Sequence, residues 1–413
     1  WKIVENGDVG TVQIAATKSI IDTHLNNAGF SKIIKVADDA SLTTNVEFIS
    51  LSTATIDGVL SYIGDYNFEG TKYFTFAEVN GITWNGSTSS WSGGSGAGGA
   101  PNTDLADNSQ LLTIDAEGTS NHATLTANAQ VGCVWIKSGS KLNVSTNIFL
   151  EIADQLQLDG ELRLVGSSQL IQTHAGSSQV TGNGSIFIDQ QGTVTTTYRY
   201  NYWTSPVSEI GKSNFAVKEV MKDGTTPTSI NDFNYSPPDI NFISYTGSYN
   251  TLNGDNTTSP ITIANYWIYG YTNGLSSASW IQKFETGSFE PSEGYILKGP
   301  GAVQNYTFVG TPNDGTITST ISPGFSSLMG NPYPSAIDAE AFFTINNGVV
   351  ETLYFWEHTG DAGNHNLGGY IGGYGLINAS MGLAGTAPSY DTTGGRGEGI
   401  TYHTPGRYIP VAQ

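Results

Sequence analysis

A single cysteine, Cys133, stands in 413 residues, so no intrachain disulfide can form and a disulfide-stapled scaffold is excluded. Charge is scarce as well. Only 13% of residues are Asp, Glu, Lys or Arg, with 16 basic against 36 acidic side chains and a formal net charge of −20. A nucleic-acid-binding surface needs a basic footprint, and this balance removes it. No run approaches the roughly 18 to 20 consecutive apolar residues of a membrane helix, so no membrane span is expected. Catalytic signatures are missing too: there is no Gly-x-Ser-x-Gly elbow and no phosphate loop. A non-catalytic protein is the expectation.

What is present points to strands. Gly is abundant at 51 residues, and Tyr (21), Phe (17) and Trp (8) contribute to a chain that is 38% hydrophobic and 11% aromatic. These proportions are enough to build cores, and with many Thr, Ser and Asn residues they describe strands joined by tight turns. The expected fold class is all-β. At this length the chain has room for several domains. The acidic surface favours solubility and offers carboxylates to Ca²⁺.

Four segments follow from patterning. Residues 1–80 read as a small strand-rich module, with alternation at Thr11-Val12-Gln13-Ile14-Ala15 and Thr71–Phe76. Short helices are expected at Lys18–Leu25 and Ile56–Ile63. Residues 81–110 read as a Gly/Ser-rich linker or cap, with Trp84 and Trp91 covering an exposed apolar end and a run from Gly93 to Ala100 behaving as a flexible loop. Residues 111–194 carry the clearest pattern. Short apolar alternations recur at Leu112–Ile114, Ala123–Leu125, Val134–Ile136, Leu142–Val144, Ile148–Leu150, Leu156–Leu158, Leu162–Leu164 and Ile186–Ile188. Strands this short are unstable alone, but stacked rung on rung they bury a continuous apolar column, which is the logic of a β-solenoid or β-helix. An antiparallel sandwich is the alternative, since Asp159-Gly160 is also a hairpin signal. Cys133, inside Gly132-Cys133-Val134-Trp135-Ile136, reads as a buried core residue.

Residues 195–413 carry longer aromatic strands, such as Thr197–Trp203, Ile263–Tyr271, Gly294–Lys298, Asn305–Val309 and Thr352–Trp356. Loops rich in Asn, Asp, Gly and Pro separate them, as in a β-sandwich or jelly roll. A short helix is expected over Ser335–Phe343, with Ser335 as N-cap and Asp338 three residues on.

Several of these stretches form an ordered set. The segment from Trp84-Asn85-Gly86-Ser87 to about residue 190 is followed by Tyr202-Trp203-Thr204-Ser205-Pro206-Val207-Ser208. Gly294–Gly299, Phe308–Gly315, Gly330-Asn331-Pro332-Tyr333-Pro334, Tyr354–His358 and Tyr408–Gln413 come next. In that order they resemble large, adhesin-like surface proteins of Bacteroidota exported by the type IX secretion system. The resemblance spans about residues 83–413 and implies an extracellular or outer-surface location. The C-terminal sorting domain of that group is absent from this chain, and residues 1–80 match no part of the pattern.

Physically, the same stretches read as structure first: two prolines fix the backbone at Asn331–Pro334, and Pro312-Asn313-Asp314-Gly315 is a turn by its own chemistry. Candidate sites are few. Glu357, His358, Asp361 and His365 cluster locally, without the spacing of a zinc motif. Asp232, Asp255 and Asp314 lie in oxygen-rich loops that suit a structural Ca²⁺, with solvated turns as the plain alternative. Trp280, Trp356, Tyr370 and Tyr374 sit near Gly-rich turns and are candidates for stacking on sugar rings. Asp391-Thr392-Thr393 resembles the O-glycosylation acceptor of Bacteroidota, with Thr392 as the modified residue. The functional expectation is a structural or adhesive surface protein: a fibre subunit that self-associates through a solenoid end or an edge strand, or one that meets other surface proteins and glycans. The alternative is a glycan-binding module of a polysaccharide-using system.

Overall fold

The computed structural model describes residues 1–27, 30–224, 233–244, 252–359, 365, 371–384, 406 and 408–413. The protein is all-β, with a β-solenoid-like stack of about 6 turns and multiple further sheets. Two compact units make up the chain: Trp1–Ser185 with Asp314–Thr316, and Ile186–Asn313 with Ile317–Gln413.

The solenoid in the first unit has three parallel faces. One takes the end of the long strand Thr71–Asn85, then Leu111–Asp115, Cys133–Ile136, Leu156–Leu158 and Val180–Thr181. A second takes Ala123–Leu125, Lys141–Val144 and Glu161–Leu164. The third takes Ala129–Val131, Phe149–Ile152 and Gln169–Gln172. Corresponding residues align from coil to coil: Ile82, Leu112, Val134, Leu156 and Val180 on the first face, Ala123, Leu142 and Leu162 on the second, Ala129, Leu150 and Leu170 on the third. Each coil consumes about twenty residues, the repeat scale of solenoids. Strand side chains alternate faces, so the two apolar positions of every rung point inward and share one dry column.

Asp159-Gly160 is a corner between faces, not a hairpin, since Leu156–Leu158 and Glu161–Leu164 pair with different neighbours. Both of its amides donate to the Ile136 carbonyl, at 2.9 and 3.0 Å. A Cβ on Gly160 would lie 2.2 Å from the Ser140 carbonyl oxygen, so only glycine lets the coils approach there.

Residues 1–80 are not separate from this stack. The strand Thr71–Asn85 pairs antiparallel with Phe30–Ala37 along its first part and parallel with Leu111–Asp115 along its last. One uninterrupted strand therefore crosses the boundary expected at residue 80. Lys2–Val4, Phe30–Ala37 and Glu47–Ser50 complete that sheet, and Thr11–Thr17, Val59–Asn67 and Ser52–Ile56 form a second. Ile14, Ile34, Val36, Phe68, Phe74 and Phe76 form a core with Ile21 of the helix Lys18–His24. The opposite face of Phe30–Ala37 packs Ile33 and Ala37 with Val46, Phe48, Leu111 and Trp135. The helix expected over Ile56–Ile63 is instead a hairpin. Asp57 (φ 49°) and Gly58 (φ 77°) make its two-residue turn, and the positive angles an Asp-Gly pair accepts outweigh the apolar spacing.

The Gly-rich stretch is ordered around one carboxylate. Asp107 is buried and accepts from the Ser95 amide and hydroxyl, the Asn102 amide and the Gln110 side-chain amide. Gly94 donates to the Gly99 carbonyl and Gly96 to that of Ala100, both at 2.8 Å. Trp84 continues the inward column of Ile114, Ile136 and Leu158 and meets Trp91 edge-on at 5.1 Å. Cys133 differs from expectation: it is half-buried, because the period of two sends Val134 and Ile136 inward and Cys133 and Trp135 outward. Burial still pushes its thiol up.

The second unit holds several short sheets. Ile186–Gly192 runs antiparallel to Gln304–Pro312, which also pairs with Val207–Ser208 and Met221–Asp223. Tyr200–Trp203, Tyr295–Lys298, Tyr269–Gly270 and Ile281–Gln282 form another sheet. The stretch expected as one strand over Ile263–Tyr271 is broken by a 3₁₀ turn at Asn265–Trp267. The helix Ala339–Ile345 starts later than expected. Its cap is Asp338, whose carboxylate accepts from the Glu340 and Ala341 amides, and not Ser335.

Two asparagines tie distant segments of this unit together. The Asn313 side chain donates to the carbonyls of Ser205 and Pro332, each at 3.0 Å, and accepts from the Ser208 hydroxyl at 2.7 Å. The Asn331 side chain donates to the carbonyls of Ser335, Ile409 and Pro410. Its amide donates to Gln413, as Thr204 does to Ala412. The stretches around Thr204–Ser208, Asn313, Asn331–Pro332 and Ile409–Gln413 thus make one hydrogen-bonded knot.

Candidate functional site

The hairpin of Leu353–Thr359 and Ile371–Ile377, extended by Gly382–Leu383, has two unlike faces. Leu353, Phe355 and Ile377 pack with Ala339, Phe343 and Ile409. On the other face, register pairs Trp356 with Tyr374 and Tyr354 with Leu376, which in turn faces Leu383. Solvated sheet faces ordinarily carry polar residues. Here Tyr354 is 65% and Tyr374 58% exposed, with Trp356 half-buried beside Tyr374. The Trp356 and Tyr374 rings meet edge-on at 4.8 Å, and Tyr354 meets Tyr374 at 6.2 Å. Three rings, two carrying a phenol hydroxyl and one an indole N–H, form a ridge with apolar flanks and polar tips.

Of the four aromatic residues singled out for sugar stacking, the fold joins Trp356 and Tyr374. Trp280 lies elsewhere, half-buried against Tyr271 at 5.0 Å, and Tyr370 is outside the described residues. Tyr354 was not singled out, although its two-residue offset from Trp356 places it on the same strand face.

Two of the carboxylates considered for Ca²⁺ make hydrogen bonds within the chain. Asp314 receives His174 Nε2 at 2.8 Å, the Gln179 amide at 2.6 Å and the Ser178 hydroxyl at 3.2 Å. Asp255 closes its own turn, accepting from the Thr257 amide and hydroxyl, and these bonds hold its carboxyl below the usual range. Asp232 and Thr392 are outside the described residues, as is Asp361. No group of three or more His, Cys, Asp or Glu side chains suited to a metal occurs among the described residues, and no helix among them is long and apolar enough to cross a membrane.

A buried cluster escaped sequence reasoning. Lys298 is 1% and His365 4% exposed. The Lys298 ammonium lies 3.8 Å from the Trp267 ring centre and 4.8 Å from that of Tyr200. Burial pulls its pKa down to about 7, while the ring faces favour the charged form. The only signal was a lysine ending the apolar run Tyr295–Lys298, which looks like an ordinary strand end.

A family model described as Domain of unknown function (DUF8693) matches residues 242–397, a stretch that contains both the aromatic ridge and Lys298 with His365. No curated protein matches the chain, and neither does any solved structure. The chain is an all-β protein with a β-solenoid-like stack and an exposed aromatic ridge.

Proposed function

We propose that this chain is a non-catalytic structural or adhesive protein of the cell exterior, in which the solenoid is a stiff support and the aromatic ridge a contact surface. The single observation that carries the reading is the ridge of Tyr354, Trp356 and Tyr374, since large aromatics held in water on a sheet face characterise recognition surfaces. The ordered stretches that resemble type IX-exported surface proteins support the location. Protease treatment of intact cells tests it: the chain is degraded if it lies outside, and its survival until lysis overturns that placement. Beads coated with the full chain are expected to resist detachment from cells or matrix, and beads carrying Tyr354→Ala, Trp356→Ala and Tyr374→Ala together are expected to detach like bare beads. Equal retention by both sinks the contact role.

A second reading, glycan binding, is favoured by the same rings, whose polar tips suit hydroxyl-rich ligands. The net charge of −20 directs it to neutral sugars rather than acidic polymers. A glycan array probed with the full chain tests it, and a blank array removes it.

A further inference from the structure

His365 is inserted into a closed set of side chains. Its ring stacks on Trp267 at 4.5 Å and 19°, and meets Tyr198 edge-on at 5.0 Å. Nε2 lies 2.8 Å from Asn253 Oδ1, and Nδ1 lies 2.8 Å from the Lys298 ammonium nitrogen. Below about pH 7 Lys298 is an ammonium. An amide oxygen only accepts and an ammonium only donates, so there this geometry selects one species: neutral imidazole with its hydrogen on Nε2 and its lone pair on Nδ1 turned to Lys298. The next proton has one place to go, Nδ1. Taking it removes the Nδ1 acceptor from Lys298 and sets imidazolium against ammonium at hydrogen-bond distance, with both side chains buried.

We propose that His365 is an acid-released latch on the second unit: neutral, it is held by Asn253, Lys298 and Trp267, and once protonated at Nδ1 it is repelled by Lys298 and leaves, uncovering the Trp267 ring. Among the described residues, the titratable groups beside it are Lys298, from the strand Tyr295–Lys298, and Tyr198, with Tyr200 behind them against Lys298 and Trp267. Tyrosines keep their protons throughout the acid range, so Lys298 is the cation that opposes the second charge. Burial first, and then Lys298, hold the imidazole down to about 4, so release belongs to distinctly acidic surroundings. The latch does not depend on the contact role proposed above, because none of its residues lies on the ridge.

Acrylamide quenching of tryptophan emission in the full chain, titrated from pH 7 downward, tests this. The expected result is a reversible rise in quenching with its midpoint near pH 4, before the far-UV β signal changes. Trp267→Phe removes that step and so identifies the reporter. His365→Gln can still donate to Asn253 and accept from Lys298 but cannot take a charge, so it abolishes the step. Lys298→Met moves His365 proton uptake, followed by nitrogen NMR of the imidazole, to higher pH and leaves the ring stacked, so quenching stays flat. A step that persists in His365→Gln overturns the latch. If that variant does not fold, wild-type NMR decides: Nδ1 protonation with no change in quenching overturns it equally.

Discussion

Asp107 shows how one side chain turns a glycine-rich stretch into a built loop. Its carboxylate collects donors from Ser95, Asn102 and Gln110. Ser95 is exposed and the Gln110 amide also reaches the Ala106 carbonyl, so the Asn102 amide depends on it most. Asp107→Ala is therefore expected to cost about 1–3 kcal/mol, the penalty of an orphaned buried donor. Chemical denaturation measures this, and a loss under 1 kcal/mol would show that water replaces the carboxylate. Lys298 makes a pH prediction. Its folded pKa of about 7 lies below the ordinary 10.5, so the unfolded chain holds more protons between those values. Stability attributable to Lys298 thus rises with pH through that window. Wild-type Tm is expected to climb from pH 7 to 9 relative to Lys298→Met, and parallel curves would contradict it. Neither residue announces itself in the sequence: Asp107 sits among ordinary loop residues, and Lys298 looks like a strand end.

At the scale of elements, the solenoid was the most legible part. Each rung from Leu112 to Leu164 repeats two inward apolar residues around an outward one, and each aligned rung buries them in a shared column. Leu142 lies mid-column with neighbours on both sides, so Leu142→Ala is expected to cost about 2–5 kcal/mol. Gly160→Ala tests the corner: the added methyl meets the Ser140 carbonyl, and the expected outcome is a loss larger than that of Gly139→Ala, where the nearest atom is 3.8 Å away and the cost is that of the left-handed backbone (φ 72°) alone. Equal losses would mean that the coils have slack. The hairpin at Asp57-Gly58 escaped because an apolar spacing that mimics a helix carries no information about φ. The cap at Asp338 was displaced by three residues because several oxygens near a helix start compete, and only the backbone path selects among them.

For the whole molecule, continuity mattered more than composition. Thr71–Asn85 serves an antiparallel sheet and then the first coil, and the edge strand Glu47–Ser50 is held to the solenoid by Gln157. That side chain accepts from the Phe48 amide at 2.6 Å and donates to its carbonyl at 3.2 Å. Deleting residues 1–80 would expose the outward Trp135 and Gln157 and cut that strand. The truncated chain is expected to aggregate or elute as oligomers in size-exclusion chromatography, whereas a monodisperse monomer would mean that the sheets are dispensable.

By itself the sequence determined the all-β class, the short-rung stack and two of the three ridge aromatics, because these depend on local alternation and on residue type. Only the tertiary structure decided that residues 1–80 are continuous with the stack, that Asp314 meets His174, and that Asn253, Trp267, Lys298 and His365 meet. Such groups are brought together by chain closure over separations such as 67 residues for Lys298 and His365 and 140 for His174 and Asp314, and no local pattern of hydrophobicity encodes which distant side chain will face which.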